Sequence, residues 1–139
     1  MVDLRPVAYV IGRILIVLAI LMLAPAIIDW RAGLANGYDF LASAALTGVV
    51  GSGLTLSTAN ALGKPLDTRQ AYLLTAGIWF LVPFFGCLPF WIGAPGLSLN
   101  HAYFEAVSGI TTTGATVIYG LEELPAGMNL WRGMLNWLG

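Results

Sequence analysis

The residues best equipped for chemistry in this chain stand together at Thr111-Thr112-Thr113-Gly114-Ala115-Thr116. Hydroxyl side chains and one glycine interrupt a sequence that is otherwise mostly apolar. Such a stretch can replace the water around a dehydrated alkali cation. A bare ion at membrane depth is far too unstable unless other oxygens take the place of its hydration shell. Backbone carbonyls do this when the chain is extended and they point one way. Gly114 tolerates the dihedrals this requires. Threonines on both sides, Thr111 and Thr116 among them, can turn hydroxyls to brace the loop or add oxygens. The stretch therefore reads as an ion-coordinating strand.

Such a strand has to be carried to membrane depth and held there. The spacing predicts a helix over His101–Thr111, about 16 Å long at 1.5 Å per residue. That is half a bilayer, and the negative end of its dipole would face the ion path. Non-helical backbone beyond a half-span helix is tolerated in a membrane only where protein or a water-filled cavity surrounds it. A long apolar run, Ala71–Ile92, precedes this unit, and another helix begins at about Ala126. Span, half-helix, threonine-glycine turn, span: this order describes one quarter of a cation-selective pore.

Two more spans are expected upstream. Helix one is read at Val7–Ile28, long enough to cross a hydrocarbon core of about 30 Å, with Pro25 placed to kink its far end. Arg13 near its start is expected to snorkel toward the headgroups. Asp29–Asp39 reads as a turn-rich loop flanked by the interfacial aromatics Trp30 and Tyr38. Helix two is read at Phe40–Ala61, where Ser43, Thr47, Gly51 and Thr55 recur at a helical spacing that lets backbones approach closely, and Gly48 and Ser52 form a second such pair. A polar turn, Ala61–Gln70, leads to the third span, in which Pro83 and Pro89 predict a kink in the second half. Asn100 is expected to cap the half-helix. Residues 1–69 thus form a two-helix segment and 70–139 one span–loop–span repeat.

The composition agrees. Of 139 residues, 58% are hydrophobic and 9% charged, against about 25% charged in soluble domains. The mean hydropathy is +0.83. The fold class is therefore all-α integral membrane: three full transmembrane helices, a half-span pore helix with a filter loop, and the start of a further helix. The net charge of −1 excludes a basic nucleic-acid binder. The first apolar run is too long for a signal-peptide core and reads as a retained span. The last helix is too short to cross a bilayer, so the chain reads as a truncated piece. Basic residues Arg5, Arg13, Lys64 and Arg69 fall on one side, which places the N-terminus in the cytoplasm and the pore loop, with Glu122 and Glu123 at its mouth, outside.

The segment His-Ala-Tyr-Phe-Glu-Ala-Val-Ser-Gly-Ile-Thr-Thr-Thr-Gly-Ala-Thr, residues 101–116, resembles the first pore loop of the TrkH/KtrB/HKT-type potassium uptake family. The likeness continues through Leu124-Pro125 and residues 131–139, and back through Leu88-Pro89-Phe90 and the two leading helices. The resemblance implies four such repeats around one pore. In it Thr112, Thr113, Gly114 and Ala115 form one filter strand, and potassium binds the backbone of Thr112, Thr113 and Gly114. Thr111, Thr116, Ser108 and Glu105 support that strand, with Glu105 bonding backbone amides behind it. Glycine rather than serine at position 114 implies potassium over sodium. Also implied are a homodimer in membrane lipid of the cell inner membrane, a cytoplasmic nucleotide-binding regulatory subunit of the TrkA/KtrA kind, no organic cofactor and no nucleic acid.

Two other classes fit the sequence less well. An intramembrane serine hydrolase would pair Ser108 with His101, but about two helical turns separate them, roughly 10 Å, too far for a hydrogen bond. A purely structural membrane subunit would make Gly114 and the threonine hydroxyls dispensable. His101 and Glu105 share a helix face, yet two groups are too few for a closed metal site.

Overall fold

The computed structural model describes residues 3–139. The first two residues of the polar lead lie outside it. Three helical stretches are long and apolar enough to cross a membrane: Arg5–Arg31, Asn36–Ser57 and Thr68–Ile92. The first comprises α1 (Arg5–Leu21) and α2 (Leu23–Arg31), the second is α3 (Asn36–Ser57), and the third comprises α4 (Thr68–Gly86) and α5 (Leu88–Ile92). Then come the short α6 (Leu99–Ile110) and, after a 3-10 turn at Leu121–Glu123, α7 (Ala126–Leu138). No strand occurs among the described residues.

Proline chemistry sets both interruptions. Pro25 has no N–H for the carbonyl of Leu21, and its ring crowds that carbonyl. Regular helix gives way one turn upstream, at Met22. Pro89 acts likewise on Phe85, and the third span breaks at Cys87. Pro83, by contrast, lies within unbroken α4.

Three expectations need correction. Asp29–Asp39 is not a loop: α2 runs on through Arg31, α3 starts at Asn36, and the connection narrows to the residues between them. Asp29 and Asn36 are both buried polar groups that find partners inside the molecule, so the helices that carry them extend inward to meet those partners. The second span accordingly starts and ends earlier than Phe40–Ala61. Asn100 is not the cap of α6. Ser98, in extended backbone, accepts from the His101 N–H at 3.4 Å, and the helix starts at Leu99.

The hairpin of α1 and α3 closes on glycine. A Cβ on Gly51 would lie 2.8 Å from the Gly12 carbonyl oxygen, and one on Gly12 would lie 2.7 Å from that of Gly51. Ser43, Thr47 and Gly51 are buried along this seam, and the hydroxyls of Thr47 and Thr55 donate back to carbonyls one turn earlier. Ser52 faces outward. Arg13 is exposed and donates to the Tyr9 hydroxyl at 3.2 Å, one turn toward the N-terminal end of α1. One continuous core joins the leading helices to the rest. Leu15, Met22 and Phe40 pack in the same cluster as Phe90, Ala106, Met128, Trp131 and Leu135. Trp131 meets Phe40 edge to face at 6.3 Å.

Candidate functional site

The candidate site is the chain that leaves α6. That helix has 12 residues, about 18 Å of rise, which is half a membrane. Its inner face, Ala102, Glu105, Ala106, Ser108 and Gly109, is buried against α4, α5 and α7. Gly109 lets α7 come close, since a Cβ there would sit 2.9 Å from the Leu135 Cβ.

Past Ile110 the backbone turns back on its own helix. The N–H of Thr111 reaches the Val107 carbonyl, that of Thr112 the Gly109 carbonyl, and those of Thr113 and Gly114 the Ser108 carbonyl at 3.0 and 3.4 Å. Thr112 and Gly114 take positive φ, 55° and 72°, and Thr113 between them does not. Positive φ suits glycine and is uncommon for threonine. The Thr111 hydroxyl donates to the Val107 carbonyl and lies 2.8 Å from the Thr113 hydroxyl. Thr111–Thr116 are exposed on this chain. Among the described residues, no N–H or O–H donates to the carbonyls of Thr112, Thr113 or Gly114. The Ala115 carbonyl differs, because the Ser108 hydroxyl donates to it at 2.6 Å.

Glu105 sits behind this strand, its side chain 2% exposed. One carboxylate oxygen accepts from the Val117 N–H at 2.6 Å and the Thr116 hydroxyl at 2.5 Å. The other faces the Arg132 guanidinium of α7 at 3.4 Å. A cavity of about 10 Å³ remains between Glu105, Ser108, Gly114 and Arg132, about one water in size. His101 is exposed, and Glu105 is committed to Thr116, Val117 and Arg132. Among the described residues no group of three or more His, Cys, Asp or Glu side chains could hold a metal ion.

Three sets of partners lie beyond what the sequence alone indicates. Arg132 was not assigned to Glu105, although an arginine within an apolar helix is itself a signal that a partner exists. Trp131 donates its indole N–H to the Gly86 carbonyl at 3.0 Å, at the end of α4. Asp29 accepts from the Gly127 N–H at the start of α7 and from the Asn36 amide.

The sequence model of the TrkH family, described as a cation transport protein, matches residues 36–139. The chain belongs to the TrkH family. It is 37% identical over 136 residues to the Trk system potassium uptake protein TrkI of Halomonas elongata, covering 96% of this chain and 27% of that one. It is 31% identical over 138 residues to the Trk system potassium uptake protein TrkH of Escherichia coli, covering 97% and 28%. The crystal structure of the potassium transporter TrkH from Vibrio parahaemolyticus superposes with a TM-score of 0.91 at 30% identity, over 99% of this chain and 29% of that one. The chain thus spans just over a quarter of the length of these TrkH-family relatives. The family is one of membrane transport proteins, not enzymes. Ser108 is correspondingly tied to the Ala115 carbonyl, with His101 out at the surface.

Proposed function

We propose that this chain supplies one of four strands of a potassium-selective filter in a Trk-type uptake protein. One observation carries the reading. At the end of a half-span helix, the carbonyls of Thr112, Thr113 and Gly114 accept no hydrogen bond, while the N–H groups around them are tied back to α6. Unpartnered carbonyls of this kind are the oxygens that stand in for an ion's water shell. Alternating left-handed residues at 112 and 114 favour successive carbonyls on one side of the strand. Ala115 closes the strand, its carbonyl held by Ser108 and its neighbours Thr116 and Val117 anchored to Glu105. The names of the relatives, potassium uptake proteins, agree with potassium as the cargo.

Residues 1–69 act as a leading two-helix segment and 70–139 as one repeat. The whole protein sits in the inner membrane as a homodimer surrounded by lipid, with its N-terminus in the cytoplasm, its pore loop outward and a nucleotide-binding subunit beneath. It uses no organic cofactor.

The test is Gly114→Ser in the full-length gene product, expressed in a bacterium lacking its own potassium uptake. Growth on limiting potassium and sodium inhibition of rubidium uptake are measured. We expect a shift toward sodium, while Ser52→Ala changes neither readout. Unchanged preference in Gly114→Ser would favour a structural subunit instead.

A further inference from the structure

Asp29 is fully buried, and no cation faces it among the described residues. Two neutral donors meet it. The Gly127 N–H, in the first turn of α7, reaches one oxygen at 2.7 Å, and the Asn36 side-chain amide reaches the other at 2.6 Å. Asn36 in turn accepts the Ala94 N–H at 2.9 Å through its carbonyl oxygen. The direction of every bond is thereby set. A backbone N–H can only donate, so Asn36 must turn its oxygen to Ala94 and its NH2 to Asp29. Position 29 must accept on both atoms, and only a carboxylate does so.

The surrounding backbone makes room for this arrangement. A Cβ on Gly127 would lie 2.5 Å from an Asp29 carboxylate oxygen, and one on Gly93 2.5 Å from the Asn36 side-chain oxygen. Neither glycine has positive φ, so space rather than dihedral freedom accounts for them. The carboxylate also sits at the positive end of the α7 dipole, where a negative charge is stabilised.

We propose that Asp29 is a positioning residue for the filter strand. It caps α7 from the N-terminal hairpin, across 98 residues of sequence. Arg132, further along α7, bears on Glu105, and Glu105 holds Thr116 and Val117 just past the strand. The hairpin thus sets the height of α7, α7 sets the Arg132–Glu105 contact, and that contact sets where the strand's carbonyls stand. This inference rests on the filter reading above.

Three variants of the full-length protein test it: Asp29→Asn, the swap Asp29→Asn with Asn36→Asp, and Gly127→Ala. The swap restores all three bonds, because the carboxylate at position 36 accepts from Ala94 and from the new amide, whose oxygen takes Gly127. Rubidium uptake kinetics and sodium inhibition are measured per amount of folded protein, gauged by gel filtration in detergent. Losing one such bond should raise the KM for rubidium, relative to sodium inhibition, by about fivefold in Asp29→Asn, with the maximal rate largely kept. The swap should return it to near wild type, and Gly127→Ala should share the defect. A folded Asp29→Asn protein with wild-type KM and sodium sensitivity overturns the proposal, as does a folded swap that keeps the defect. Where Asp29→Asn does not fold, Gly127→Ala decides: the defect supports the proposal and wild-type selectivity overturns it. Gly114→Ser in the same assay separates the two readings. If it shifts selectivity and Asp29→Asn does not, only the positioning role fails; if Gly114→Ser shifts nothing, the filter reading itself fails.

Discussion

Glu105 carries a carboxylate into the interior of an apolar chain, and donors from three places converge on it: a backbone N–H, a hydroxyl and a guanidinium. Removing one partner of a buried pair costs more than the pair contributes, because the other charge is left without compensation. Glu105→Ala should therefore destabilise the folded protein by about 3 kcal/mol, read as a lower midpoint of thermal unfolding in detergent. Glu105→Gln should lose less, since its oxygen still accepts from Val117. The family resemblance, rather than spacing, points to Ser108 as a support residue. That its hydroxyl donates to the Ala115 carbonyl in particular was not legible, since a hydroxyl on a helix has several carbonyls within reach.

At the scale of the element, the third span is broken where it meets α7. The break at Cys87 leaves the Gly86 carbonyl without its helical donor, and the Trp131 indole N–H supplies one. Both groups are buried, so losing the donor leaves an unsatisfied carbonyl. Trp131→Phe should cost about 1–2 kcal/mol and lower the unfolding midpoint, while keeping some of the ring contact with Phe40. The prolines made the break readable in advance. Its repair was hidden, because the donor stands 45 residues further on.

At the scale of the whole molecule, the α1–α3 hairpin and the helices after it share one core. The hairpin seam depends on glycine where two backbones nearly touch. Gly51→Ala should destabilise by about 1–3 kcal/mol through overpacking. Gly48→Ala should stay within about 0.5 kcal/mol, because its Cβ would meet only the Ala19 Cβ at an ordinary 3.6 Å. Thermal unfolding of the two variants side by side checks this. The orientation in the bilayer is tested by cysteine labelling in intact cells. With Cys87 buried, an impermeant maleimide should label Glu122→Cys directly and Lys64→Cys only after permeabilisation. The reverse pattern would invert the proposed topology.

The sequence by itself determined the class, the three spans, the half-length helix and the threonine-glycine stretch beyond it. Each follows from local quantities: apolar run length against bilayer thickness, proline position, and helical spacing of small residues. Only the tertiary structure decided which polar groups meet. Arg132 lies 27 residues from Glu105, and Gly127 lies 98 from Asp29. No local periodicity encodes such pairs. They arise because a polar group in an apolar interior must find a partner wherever packing brings one, and that requirement also drew Asp29 and Asn36 out of an expected loop and into helix.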